Sequence, residues 1–157
     1  MEQHEWAYLA GLFDGEGCVQ IIQQKPKGSN VSGSYYLYIG IRNTDTAIVK
    51  WIHSKIGGNL QDSKSYQENR SRSWWWNLHC HAAYEFLKSV RPFLHIKAEE
   101  ADIAMKFQEE MEEFKRQPYE RKGVKRGRPV LPAEVVARRR SAMEQIKQVR
   151  LSRKRYN

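Results

Sequence analysis

A helical segment that stops at two carboxylates is the most restrictive feature of this sequence. Residues 4–13 place apolar side chains at helical spacing, and Gly15 and Gly17 are expected to end the helix. Asp14 and Glu16 stand among these glycines. Because the helix dipole disfavours a carboxylate at a helix C-terminus, two of them there indicate a compensating partner such as a bound cation. Oxygen ligands on an exposed turn suit Mg²⁺.

The same helix carries small side chains, at Ala7, Ala10 and Gly11. Small residues let two helices approach closely, because little side chain separates their backbones. The segment therefore predicts a helix that packs against another helix and presents acidic groups at its end.

Hairpins and helices alternate through the rest of the first 115 residues. Residues 34–43 alternate apolar and polar side chains, the period of a strand with one dry and one wet face. The predicted strands are 18–24, 34–43, 59–66 and 73–80, and the predicted helices are 4–13, 45–56, 81–90 and 97–115. Antiparallel hairpins separated by helices predict an α+β fold rather than a doubly wound parallel sheet.

Charge is distributed unevenly along the 157 residues. The net charge of +9 comes entirely from the last quarter of the chain, since residues 1–114 are slightly acidic. We interpret 1–115 as one domain and 116–157 as a basic linker and a C-terminal helix that begins at Pro132. A basic segment of this kind attracts polyanions, nucleic acid first and anionic membrane second.

Several classes of protein are excluded by composition. The longest apolar run falls short of the ~20 residues that a membrane-spanning helix needs, and the start of the sequence does not read as a secretory signal. Two cysteines are too few for a disulfide scaffold, which favours a reducing compartment. We therefore expect an intracellular protein, cytoplasmic or organellar, without a membrane partner.

Residues 9–17 read LAGLFDGEG and resemble, position for position, the LAGLIDADG motif of homing endonucleases. Phe13 stands in place of the usual Ile, and Gly15 and Glu16 in place of Ala and Asp. The segment 41–45 resembles the end of the family's second strand, and 91–97 resembles its Pro-Phe-Leu-x-x-Lys stretch. The resemblance covers about 1–115 and implies the family's αββαββα fold with a saddle-shaped antiparallel sheet.

The resemblance also implies an activity. Family members of this kind are sequence-specific double-strand DNA endonucleases that hydrolyse phosphodiester bonds at a long, nearly palindromic site, and the family is associated with intron homing. A single copy of the motif implies a homodimer whose motif helices pack along the dyad. The interface residues implied are Ala7, Ala10, Gly11 and Asp14.

The implied chemistry depends on a divalent cation and on no small-molecule cofactor. Glu16 would bind Mg²⁺ directly, with the Gly15 carbonyl as a backbone ligand, and Ca²⁺ or Mn²⁺ could substitute. Lys97 matches a basic position in the family's active site, where a cation would polarise the water or the phosphate. Asn43 corresponds to a polar position that orients solvent at the scissile phosphate.

Reading of double-stranded DNA would fall to the wet face of the sheet, which can lie along a major groove. The alternation pattern and the loops give these candidates: Gln20, Gln24, Lys25, Lys27, Asn30, Tyr36, Tyr38, Arg42, Lys64, Arg70 and Arg72. In the run Trp74-Trp75-Trp76 we expect the alternating set with Trp74, Trp76, Leu78 and Cys80 to be core, which leaves Trp75 on the DNA side.

The basic C-terminal segment supplies further DNA contacts. Residues 125–129 read KRGRP and resemble the core of an AT-hook, which places Arg126 and Arg128 in a minor groove. We expect other basic residues of this segment to touch phosphates, namely Arg138, Arg139, Arg140, Arg150, Arg153, Lys154 and Arg155. The run His79-Cys80-His81 lacks the ligand partners of a structural zinc site and is not assigned one.

Two non-endonuclease functions remain open on the same resemblance. The family includes RNA maturases that aid intron splicing, and its fold occurs in transcription regulators that lack the acidic ligands. Glu16 separates the enzyme from a regulator, since a regulator does not need a carboxylate there. It does not separate the enzyme from a maturase, which can keep the motif.

Overall fold

The computed structural model describes residues 1–25, 34–63, 72–116 and 131–154. Within them the chain is α+β, as predicted. The elements in chain order are α1 (Gln3–Glu16), β1 (Gly17–Gln24), β2 (Ser34–Asn43), α2 (Thr46–Ile56), β3 (Asn59–Ser63), β4 (Ser73–His79), α3 (Cys80–Val90), a 3₁₀ turn (Arg91–Phe93), α4 (Ala98–Arg116) and α5 (Ala133–Lys154).

The four strands form one antiparallel sheet in the order β1-β2-β4-β3, with β2 and β4 in the centre. One face of the sheet carries large apolar side chains, which the register brings into rows such as Val19–Ile39–Leu78 and Ile41–Trp76–Leu60. Helices cover this face, and nearly all of these side chains are buried. The opposite face holds the intervening residues of each strand and has no helix on it among the described elements.

Helix α2 begins with a side-chain cap that the sequence supplies. Asp45 accepts hydrogen bonds from the backbone N–H groups of Ala47 and Ile48, at 2.8 and 3.3 Å. This pairing satisfies N–H groups that lack a partner within the helix. The cap fixes the direction in which the chain leaves β2.

The end of α1 and the start of α3 differ from the sequence prediction, each for a local reason. Helix α1 continues to Glu16, because Gly15 is accommodated within the last turn and the chain leaves the helix only at Gly17. Cys80 is exposed at the start of α3 with a φ of 50°, so it is not a core strand residue, although Trp76 and Leu78 are buried as expected. Strand β3 is described as far as Ser63, and residues 64–66 of the predicted strand lie outside the described residues.

The C-terminal helix packs on the rest of the fold. Helix α5 contacts α4 and β1, and Ile146 is buried in the same core as the sheet residues. None of the helices in the described residues is both long enough and apolar enough to cross a membrane.

Gly57 and Gly58 end α2, and they offer a matched pair for testing backbone strain. Both have positive φ, at 79° and 90°. A Cβ at Gly58 would lie 2.6 Å from Leu78 Cδ2 and 2.9 Å from the Asn77 carbonyl oxygen, whereas a Cβ at Gly57 meets nothing within 4 Å.

We expect Gly58→Ala to lower the free energy of unfolding by about 3 kcal/mol, and Gly57→Ala by about 1 kcal/mol. Both substitutions incur the positive-φ penalty, but only the first adds a clash with the backbone of β4. Urea denaturation followed by circular dichroism measures both. Equal losses for the two variants would contradict this account of the helix end.

Candidate active site and nucleic-acid interface

The carboxylate of Asp14 joins the end of α1 to the start of α4. It accepts hydrogen bonds from the backbone N–H groups of His95, Ile96 and Lys97, at 2.8, 3.1 and 2.8 Å. Burial raises the pKa of Asp14, but the three backbone donors outweigh it and the net pKa is lowered. An acid at the start of a helix is also favoured by the dipole of that helix. The charge of Asp14 is therefore compensated by backbone N–H groups, and a bound cation is not needed to account for a carboxylate at this position.

Glu16 differs from Asp14, because its side chain is exposed at the last turn of α1. Gly15 beside it is also exposed. A carboxylate oxygen and a backbone carbonyl oxygen are ligands that Mg²⁺ and Ca²⁺ accept. Among the described residues, however, no group of three His, Cys, Asp or Glu side chains could hold a metal. One copy of the chain thus offers part of a metal site, which further oxygen ligands would have to complete.

Lys97 lies beside this helix end. Its ammonium group donates to the backbone carbonyl oxygen of Asp14. Burial lowers the pKa of Lys97, while the carboxylates of Glu100 and Asp14 act in the opposite direction. The structure therefore brings the predicted Lys97 to the end of α1, one residue away from the Gly15-Glu16 pair.

Asn43 lies at the same end of the sheet, two residues beyond the pair formed by Gly17 and Ile41. Its side-chain oxygen accepts a hydrogen bond from the backbone N–H of Asp45 at 2.8 Å. That contact belongs to the turn between β2 and α2. The amide nitrogen of Asn43 and the second lone pair of its oxygen can still orient solvent.

The exposed face of α1 is lined by small residues, although not by all those predicted. Ala7, Gly11 and Gly15 are exposed and follow one another at intervals of four residues. A Cβ on Gly11 or Gly15 would meet nothing within 4 Å. Ala10 and Asp14 are 0% and 8% exposed within the chain itself, so their assignment to a dimer interface is corrected: their side chains face inward.

The predicted DNA-reading residues of the strands share the uncovered face of the sheet. The register aligns Gln20 with Tyr38 and His79, and Arg42 with Trp75 and Gln61. Tyr36 and Gln24 belong to the same face by alternation. Tyr38 also belongs to this face but is only 8% exposed, so its assignment as a DNA contact is corrected, and burial raises its pKa to about 12. At neutral pH this face therefore presents neutral aromatic and amide groups around the cation of Arg42.

Arg42 and Trp75 are stacked on this face. The Arg42 guanidinium carbon lies 4.2 Å from the centroid of the Trp75 ring. The ring lies close over Gly40, where a Cβ would be 2.8 Å from the indole nitrogen. Arg42 has no acidic partner among the described residues. The stacking thus orders a free guanidinium on the open face.

Arg72, unlike Arg42, has an acidic partner. The guanidinium of Arg72 forms a bidentate hydrogen-bonded pair with the carboxylate of Asp62, so its charge is already compensated.

At the centre of the sheet, the side-chain oxygen of Asn77 accepts a hydrogen bond from the amide of Asn59 at 3.2 Å and lies 2.9 Å from His79 Nε2. We had not singled out Asn59, Asn77 or His79 as site residues. The alternation in β4 puts Asn77 and His79 opposite the core and could have identified them.

Several predicted contacts lie elsewhere. Arg139 is 9% exposed and its guanidinium is 5.4 Å from the Phe114 ring, so it belongs to the packing between α4 and α5 and not to the sheet face. Arg150 and Arg153 pair with Glu100. Lys25 is exposed at the end of β1. The remaining candidates lie outside the described residues: Lys27, Asn30, Lys64, Arg70, Arg126, Arg128 and Arg155.

The chain has the LAGLIDADG homing-endonuclease fold, as its sequence predicts. It is similar to I-CvuI in complex with the I-CreI target, with a TM-score of 0.61 and 16% identity over 92% of this chain and 96% of that one. It is also similar to the archaeal intron-encoded I-Vdi141I complexed with DNA, with a TM-score of 0.59 and 12% identity over 94% of this chain and 99% of that one. The comparison with I-SmaMI bound to cleaved DNA gives a TM-score of 0.68 and 14% identity over 92% of this chain and 44% of that one. No protein-family model and no curated protein matches the sequence.

Proposed function

We propose that this chain is a sequence-specific double-strand DNA endonuclease that acts as a homodimer. The observation that carries the proposal is the exposed carboxylate of Glu16. It lies at the end of the exposed α1 face that Ala7, Gly11 and Gly15 line. The solved structures of the same fold that are bound to DNA support the choice of substrate. A DNA substrate also favours the intracellular location expected from the sequence.

The homodimer is proposed from the exposed face of α1. Close packing of two helices needs small residues at intervals of four, and Ala7, Gly11 and Gly15 provide them. Two α1 helices packed in this way bring the two Glu16 side chains towards each other. This chain covers 44% of the length of I-SmaMI, so two copies of it together would be about as large as that protein.

Metal-dependent hydrolysis is proposed from the ligands at the end of α1. Glu16 and the Gly15 carbonyl of each copy would hold Mg²⁺ or a substitute such as Ca²⁺ or Mn²⁺ together with phosphate oxygens, and the similar I-CvuI complexes were obtained with Mg or Ca present. Such an ion stabilises charge on the phosphate and lowers the pKa of bound water. Lys97 places a cation near the same phosphate, and Asn43 offers its amide nitrogen to solvent.

The roles of the two parts of the chain follow from this. We propose that the domain 1–115 binds and cuts DNA with the sheet face, and that the basic residues of 116–157 that remain exposed contact phosphates. An RNA maturase is the second candidate, since aromatic side chains on an open sheet can stack on unpaired bases. Glu16 does not decide between the two candidates, since a maturase can keep the motif, so the cleavage experiment below separates them.

Incubation of the purified protein with a randomised duplex library and Mg²⁺, followed by sequencing of the cut ends, tests the proposal. We expect double-strand cuts at one long, nearly palindromic site, and light scattering of the DNA complex should give two protein chains. A chain that remains a monomer on its site, or binds RNA but leaves every duplex intact, would refute the endonuclease.

Arg42 is expected to read one base, because Trp75 holds its guanidinium on the open face. Arg42→Ala should relax specificity at one base pair of each half-site by roughly tenfold or more, with guanine the preferred base in the intact protein. Selection from a library of half-site variants measures this. The matched variant Arg72→Ala should change affinity less than threefold, since Asp62 already occupies that guanidinium. A uniform loss of affinity for all sequences in Arg42→Ala would instead assign Arg42 to a phosphate.

A further inference from the structure

Glu100 is a charged residue in the interior of the protein. It lies in the first turn of α4 and is 1% exposed. Arg150 Nε lies 3.4 Å from its Oε2, and Arg153 Nη1 lies 3.0 Å from its Oε1. Both arginines come from the last turns of α5, so one buried carboxylate fastens the end of the C-terminal helix to the start of α4.

This cluster lies next to Lys97. Lys97 precedes Glu100 by three residues, and its carbonyl accepts the first helical hydrogen bond, from Ala101 at 2.9 Å. The groups that affect the Lys97 charge come from two neighbouring helices besides its own: Asp14 of α1, and Arg150 and Arg153 of α5. Cys18 of β1 faces the same charges, and burial raises its pKa. Glu100 is thus paired with two arginines of α5, and Lys97 precedes it by about one helical turn.

Without the carboxylate of Glu100, the positive charges of Arg150 and Arg153 would act on the partly buried Lys97 without the acid that now offsets them. Like charges repel strongly where little water screens them. The carboxylate of Asp14, the other acid that acts on Lys97, already accepts three backbone N–H groups. Glu100 therefore allows a strongly basic helix to pack beside a basic residue of the site.

We propose that Glu100 is a positioning residue: its carboxylate, held by Arg150 and Arg153, keeps Lys97 in place at the end of α1. The C-terminal helix is then part of the active-site structure, and two of its arginines support the site instead of contacting phosphates. The consequence for cleavage rests on the proposed endonuclease function, but the placement of Lys97 does not.

The placement is tested without DNA by competitive acylation of the full-length protein, with the labelling of each lysine measured by mass spectrometry. In the intact protein Lys97 should react several-fold more slowly than the exposed Lys106. Glu100→Gln should raise the labelling of Lys97 several-fold and leave Lys106 unchanged. The control Glu99→Gln removes an exposed acid from the same turn and should change neither lysine.

A second variant guards against simple loss of folding. In Glu100→Gln/Arg153→Gln one cation is removed together with the carboxylate, so Lys97 should regain part of its protection, at a temperature where circular dichroism shows all variants folded. Unchanged labelling of Lys97 in Glu100→Gln would overturn the proposal. So would equal labelling in the single and double variants, because repulsion from α5 would then play no part.

Cleavage gives the functional readout. We expect Glu100→Gln to lower the single-turnover cleavage rate at least tenfold with less than a threefold change in DNA affinity, and the double variant to recover part of the rate. If labelling changes as expected while even the intact protein cuts no DNA, the positioning of Lys97 stands and the endonuclease fails. If the intact protein cuts and Glu100→Gln cuts equally well, the positioning role fails.

Discussion

Glu16→Gln is expected to abolish cleavage while DNA binding persists. The substitution keeps the size of the side chain but removes the charge that a divalent cation needs from its ligand. Loss of the metal removes several kcal/mol of stabilisation of the charge that develops on the phosphate, which corresponds to a rate reduction of about 10³-fold or more. Single-turnover cleavage at saturating protein, together with a binding titration of the same duplex, measures both quantities.

Glu5→Gln is the matched control for this prediction. Glu5 lies on the same helix, about 16 Å from Glu16 at 1.5 Å per residue, and pairs with Lys55 at 2.7 Å. We expect cleavage by Glu5→Gln to stay within twofold of the intact protein. Calorimetric titration of Ca²⁺ into the protein–DNA complex should lose its signal in Glu16→Gln only. Retained cutting by Glu16→Gln would remove this residue from the metal site and leave the proposed chemistry without a ligand.

The fold could be predicted in large part because its signals are local. Apolar periodicity identified every helix and strand of the described residues, and Gly57-Gly58 marked the end of α2. The order β1-β2-β4-β3 could not be read in the same way, since hydrogen bonding between β2 and β4 joins residues that are far apart in sequence. Alternation nevertheless separated the two faces of the sheet, which is why Trp76 was assigned to the core.

The site was less predictable, because burial and pairing decide what a charged residue does. The resemblance separates Glu16, as the metal ligand, from Asp14, as a support of the turn or helix junction, but only the structure shows which backbone N–H groups the carboxylate of Asp14 accepts. The arginines of α5 were all expected on phosphates, whereas Arg150 and Arg153 turn towards Glu100 and Arg139 packs on Phe114. Pairings of this kind join residues 25 to 53 positions apart, for which a single sequence carries no signal.

The difference between the two acids of the motif gives the second large effect. Asp14→Ala leaves three N–H groups just before α4 without the acceptor that Asp14, itself 8% exposed, provides. Unsatisfied buried donors cost about 1–3 kcal/mol each, and some of them will find water, so we expect the free energy of unfolding at pH 7 to fall by about 3–5 kcal/mol. Cleavage should fall as well, because Lys97 is no longer held at the end of α1.

The pH dependence of this loss follows from the lowered pKa of Asp14. Burial acts against the ionised form, but the hydrogen bonds from His95, Ile96 and Lys97 outweigh it, so the folded pKa lies below the ordinary value of 3.8. The stabilisation is therefore fully present above about pH 4 and is lost as the pH falls through the folded pKa. Urea denaturation of the intact protein and of Asp14→Ala should give a difference in stability that shrinks as the pH falls below the ordinary carboxyl pKa of 3.8.

Asp45→Ala separates this effect from ordinary helix capping. Asp45 also accepts two backbone N–H groups, but it does so in solvent, where water can replace the lost acceptor. Its loss should cost about 1 kcal/mol and leave cleavage intact. Equal losses of stability in Asp14→Ala and Asp45→Ala would mean that burial adds nothing at Asp14. Full cleavage by a folded Asp14→Ala would mean that the α1–α4 junction does not hold the site together.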